Sequence, residues 1–267
     1  MKEFVNYLAQ RPALNLFLLI SYYLLTTLPH DWIGVKLEFF RDRWGLEAYN
    51  QYVLIIALGV FVLLMIWIMK MSWNSPDQRT VLLYLLVTFV LAVITVRYLF
   101  MLNIEMVHFL QYAIFSVLCF PLVGNYTRTL LWTMTAGIFD EAYQYFYLAP
   151  HRTDYFDLND VIANMVGGAF GLVLLRSSGI LPVRIKPYWQ TSAFWIHIII
   201  VFVFLVLWIS GIIGIYPGSK AGFLLVKTWP EEFWTVQVND VTFHIIRPLE
   251  GVVIISALIF IYSRLDK

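Results

Sequence analysis

The chain has 267 residues, of which 61% are hydrophobic, 18% aromatic and only 13% charged, and its mean hydropathy is +0.76. A soluble domain of this composition would expose large aggregating patches, so an ordinary water-soluble protein is excluded. The formal net charge of +1, with basic residues scattered among loops, excludes a nucleic-acid binder, which needs a concentrated basic face.

Apolar runs near the roughly 20-residue length that crosses a bilayer begin close to the N-terminus. They lie near 13–29, 52–71, 80–101, 105–123, 127–148, 158–175, 191–216 and 248–264. None alternates polar with apolar residues as a barrel strand does, so the predicted fold is all-α, a polytopic transmembrane helical bundle of about eight spans. The first run follows a charged start but lacks a small-residue cleavage site, and reads as a retained helix, not a signal peptide. Segment 30–51 spaces Ile33, Leu37, Phe40 and Trp44 as on one helical face, with Lys36, Arg41 and Arg43 around them, and is expected to lie flat on the membrane. Segment 217–247 contains WTVQV, then Asn239-Asp240, then VTFHII, the pattern of a short hairpin. A brief helix capped by Thr228 and Glu231 is the other reading of its start. Either forms a small cover on the outer face. Cys119, alone in an apolar run, reads as a small buried hydrophobe.

Basic residues set the expected orientation. A cytoplasmic N-terminus gathers Lys2, Arg11, Lys70, Arg79, Arg128, Arg176, Arg184, Lys186, Arg264 and Lys267 inside. Lys36, Arg41, Arg43, Arg152, Lys220, Lys227 and Arg247 then fall outside, mostly in the two long segments. Both termini are therefore expected in the cytoplasm.

Ionisable residues inside a membrane are costly, and a cluster of them is a functional hypothesis by default. Glu105, His108 and Tyr112 share one face at the start of the fourth span, with Gln111 beside them. Asp140, Glu141, Gln144 and Tyr145 form D-E-x-x-Q-Y in the fifth, and Asp160 and Asn164 open the sixth. The intervening loop carries His151, Arg152, Asp154 and Asp157. With the N-terminus inside, all of these groups meet the outer face, where Arg97 is a candidate counter-charge for Glu105, Asp140 or Glu141. Gly167 and Gly171 form a G-x-x-x-G for close helix approach, whereas His197 and His244 lie outside the cluster.

The strings E-x-x-H-F-x-x-Y at 105–112, E-x-x-Q at 141–144, Arg152 and D-x-x-x-N-x-x-G at 160–167 resemble the pattern of the VanZ family of bacterial integral membrane proteins. YLLTTLP, ending at Pro29, is similar to that family's opening. The resemblance covers roughly residues 13–175, with a helical hairpin inserted near 52–101. It implies a VanZ-like domain over 1–176, followed by a transmembrane hairpin extension over 177–267 that carries the extramembrane segment 217–247. It also implies a bacterial cell-envelope setting, the cytoplasmic membrane, and a link to resistance against the glycopeptide teicoplanin.

The expected catalytic groups are Glu141, His108, Glu105 and Asp140, because a carboxyl at a partly dry boundary beside an imidazole suits acid–base work. The expected substrate-binding groups are Arg152, Gln144, Tyr112, Asp160, Asn164 and Arg97, with the Arg152 fork suited to phosphate or carboxylate. Glu-x-x-His is also a metal-ligand spacing in helical bundles, but too few confirming ligands accompany it, and no metal or other cofactor is expected. The expected partner is an anionic membrane lipid or lipid-linked cell-wall precursor that the pocket binds or modifies. The alternatives are a non-catalytic scaffold that holds a membrane-protein partner through 191–264, and a proton-coupled transporter.

Overall fold

A computed structural model of the chain describes residues 1–73, 77–148, 154–183, 187–216, 218–228, 234–236 and 242–266. The helices are α1 (Lys2–Ala9), α2 (Pro12–Thr27), α3 (His30–Trp44), α4 (Leu46–Ser72), α5 (Gln78–Tyr98), α6 (Val107–Val123), α7 (Tyr126–Tyr143), α8 (Leu158–Ser177), α9 (Ser192–Ile209) and α10 (Pro248–Tyr262). A 3-10 turn, Asn103–Met106, leads into α6, and a π turn, Gln144–Leu148, extends α7. Local sequence starts these helices: Pro12 and Pro248 sit in the first turns of α2 and α10, while Asn125 and Thr191 cap α7 and α9 with their side chains.

Six helical stretches are long and apolar enough to cross a membrane, or seven if α2 and the bent continuation Trp32–Trp44, inclined at 49°, act as one span. The chain is thus an all-α bundle of multi-pass membrane type. Each of the expected runs falls on a helix, and α2 and α7 are the two that length and hydropathy alone do not single out: α2 has only 16 residues, and α7 carries Thr127, Arg128, Thr129, Thr133, Thr135, Asp140 and Glu141, which lower its hydropathy.

α8 is the axis of the bundle, with every residue from Val161 to Ser177 buried. α5, α6, α7 and α10 surround it. Glycines set these approaches: a Cβ on Gly167 would lie 2.7 Å from the carbonyl oxygens of His108 and Phe109, and one on Gly168 would lie 2.6 Å from Thr133 Cγ2. α4 is mostly exposed, and α9 has no buried residue at all.

The predicted hairpin 52–101 is α4 and α5, and α5 is built into the core through Val81, Leu85, Thr88, Ala92 and Thr95. α10 is keyed in as well. The Tyr262 and Thr88 hydroxyls are 2.6 Å apart, Tyr84 donates to the Ile261 carbonyl, and Asp266 accepts from the first N–H groups of α7, Tyr126 and Thr127. Segment 30–51 is helical as expected, with Phe40 and Trp44 exposed. In the cover, β3 (Trp234–Val236) pairs antiparallel with β4 (Thr242–His244) in the register Thr235 to Phe243, while the expected Asn239-Asp240 turn and the Glu231 cap lie outside the described residues. A second ribbon joins β1 (Ile213–Gly214) in parallel to β2 (Phe223–Leu224).

Candidate functional site

At one end of the bundle α5 and α7 finish while α6 and α8 begin, and there the chain gathers its acidic side chains. α8 is started by Asp157, whose carboxylate accepts from the N–H groups of Asn159 and Asp160. One turn on, Asp160 Oδ2 lies 3.5 Å from His108 Nε2, with the two side chains only 16% and 5% exposed. On the same α6 face Tyr112 donates its hydroxyl to Asp140 Oδ2 at 3.0 Å. The neighbouring Glu141 accepts from Gln144 Nε2 at 3.2 Å. Asp140, Glu141 and Asn164 are all essentially inaccessible to solvent. Glu105 caps the turn before α6, accepting from the backbone N–H groups of Met101 and Leu102.

These carboxylates feel one another: Glu141 is within electrostatic reach of Asp160, Asp157, Asp140 and Glu105, and His108 of Asp160, Asp140 and Glu105. Burial first, and then the adjacent Asp160 carboxylate, push the Asp157 carboxyl up to about 7, against the pull of its two N–H donors and of His108. The site can therefore hold protons, pair an imidazole with a carboxylate, and present amides and a phenol to a ligand.

Three sequence expectations meet the structure differently. Arg97 does not serve as the counter-charge: its Nη1 lies 3.5 Å from the Thr242 carbonyl and its guanidinium 5.3 Å from the Tyr98 ring, and it makes no ion pair among the described residues. Residue 97 falls on the α5 face turned towards β4, which sequence distance concealed. Arg152 lies outside the described residues. His197, outside the cluster, has its two ring nitrogens 3.0 Å from Thr135 Oγ1 and 2.7 Å from the Tyr188 hydroxyl, fastening α9 to α7. No group of three or more His, Cys, Asp or Glu among the described residues is placed to hold a metal ion.

Two contributors were missed. Asp157 was read as a loop residue, although Asp157 before an apolar run with Asp160 three residues later is a helix-start signal. Asn159 carried no signal, yet it donates to the carbonyls of Leu99 and His244 and accepts from the Ile246 N–H, clamping the cover beside the site. The other ribbon is tied down by Phe156 N–H to the Leu225 carbonyl, Lys227 N–H to the Asp154 carbonyl, and the Tyr145 hydroxyl to the Leu224 carbonyl.

Comparison of the chain with protein-family models, with curated proteins and with solved structures finds no match.

Proposed function

We propose that the chain is a VanZ-like protein of the bacterial cytoplasmic membrane, with both termini cytoplasmic, whose acidic site at the outer face binds or modifies an anionic lipid or lipid-linked cell-wall precursor. Its action on that precursor alters the surface that teicoplanin meets. The observation that carries this reading is the buried set of His108–Asp160, Tyr112–Asp140 and Glu141–Gln144 on three adjoining helices. A polar network that only held helices together would not need so many carboxylates, each costly to bury. Glu141 and His108 are assigned the proton transfers, and Asp160 orients the imidazole. Arg152 is assigned the anionic group of the ligand, a role that suits its planar fork.

The test is teicoplanin susceptibility in a sensitive host that expresses the wild type, Glu141→Ala or Arg152→Ala at matched membrane levels. Protection by the wild type and its loss in both variants support the reading. No protection by the wild type removes the antibiotic link.

A scaffold is the second reading, favoured by α9, whose exposed Ile199, Phe202 and Val206 face away from the bundle. Alanine at those three positions would abolish a scaffold's function and leave a pocket-based one intact.

A further inference from the structure

Not all of the buried acid is balanced by the groups already described. Asp157 and Glu105 are held by backbone N–H groups, and Asp160 by His108. Asp140 keeps one oxygen, Oδ1, buried with no hydrogen-bond partner, and Glu141 meets only the neutral amide of Gln144. Neither makes an ion pair with a Lys or Arg among the described residues; Asp140 has the His108 imidazole within electrostatic reach, but Asp160 already engages that ring.

The same place holds a second, independent irregularity. Asn164 is fully buried, and neither its Oδ1 nor its Nδ2 has a partner. Its side chain lies against Gly137, where a Cβ would be 3.0 Å from Nδ2. Gly137 precedes Asp140 and Glu141 by three and four residues, so on one α7 face those carboxylates stand one turn from the place where Asn164 packs. Gln111 Nε2 on α6 is likewise buried without a partner.

From this geometry we propose that the junction of α6, α7 and α8 binds a sodium ion, with Asp140 Oδ1, Asn164 Oδ1 and the Glu141 carboxylate as its ligands. Carboxylate and carboxamide oxygens are hard donors that suit a hard cation. Three side-chain ligands fall well short of the roughly six to eight oxygens that calcium takes, so a monovalent ion is the better fit. A bound cation also offsets the cost of burying a carboxylate oxygen and an amide oxygen without partners. The ion site shares Asp140 and Glu141 with the proposed lipid site, but its test in detergent reads ion binding whichever lipid the outer face handles.

The experiment is thermal unfolding of the purified full chain in detergent, titrated with sodium chloride while N-methylglucamine chloride holds ionic strength constant. The expected result is a saturable rise in Tm of ~3 °C or more, as ligation of the folded state alone requires. It should be absent in Asp140→Asn, which keeps an acceptor for Tyr112 and so preserves packing, and in Asn164→Ala. Equal stability in sodium and N-methylglucamine overturns the proposal, as does a rise that persists in both variants. A rise with potassium or ethanolamine hydrochloride, and none with sodium, overturns the assignment to sodium.

Discussion

Tyr112 on α6 and Asp140 on α7, 28 residues apart in the chain, are joined by a 3.0 Å hydrogen bond in which the phenol donates to a wholly buried carboxylate. The bond ties the His108 helix to the helix of Glu141, so the site and the packing of α6 on α7 share one contact. Tyr112→Phe keeps the ring and removes the donor. The cost expected from leaving that oxygen unpaired is about 1–3 kcal/mol, read as a lower unfolding midpoint in detergent. An unchanged midpoint would show that the bond contributes nothing to α6–α7 packing.

The G-x-x-x-G of α8 makes a sharper demand. A Cβ at Gly167 meets the backbone carbonyls of His108 and Phe109, which cannot turn aside as a side-chain end can. Gly167→Ala is expected to destabilise by about 3 kcal/mol and to displace His108 from Asp160. Gly59→Ala on α4, with nothing within 4 Å, is expected to be stabilising by about 0.5–1 kcal/mol. Thermal unfolding of the two variants side by side separates crowding from a general intolerance of alanine.

Asn159 is expected to hold the cover closed. Asn159→Ala removes the bonds to the Leu99 and His244 carbonyls and to the Ile246 N–H, and hydrogen–deuterium exchange should then rise over 242–246 while the buried part of α8 stays protected. Uniformly raised exchange would mean that the residue supports the whole bundle and not this clamp.

Asp157 gives the site a pH dependence of definite sign. Its carboxyl is raised from an ordinary value of 3.8 to about 7 in the folded chain. Its contribution to stability is therefore complete below about pH 4 and is lost as pH rises towards 7. Asp157→Asn keeps a good helix cap and cannot ionise, so its unfolding midpoint should gain on the wild type between pH 4 and pH 7. Parallel pH profiles for the two proteins would contradict the assignment.

Much of the architecture was legible before any coordinates. Apolar runs located the spans, because burying backbone in lipid leaves helices as the only solution for such sequences. The alternation in WTVQV and VTFHII announced β3 and β4. Glu105, His108, Tyr112, Asp140, Glu141, Asp160 and Asn164 stood out as costly in an apolar chain, and the structure brings them to one end of the bundle. The apolar signal is weakest at α7, where polar site residues dilute it, although a helix stands there as expected.

Composition and periodicity by themselves determined that this protein is a helical membrane bundle with an acidic patch, since both follow from transfer free energies that each residue carries wherever it sits. Partnership was decided only by the tertiary structure. It turned Arg97 to the Thr242 carbonyl, set α10 against α5 through Tyr262 and Thr88, fastened α9 through His197, and left Asn164 against Gly137 with its amide unspent. Those outcomes depend on how each helix is rotated about its own axis. That rotation is set by close packing between residues far apart in the chain, for which a single sequence holds no local record.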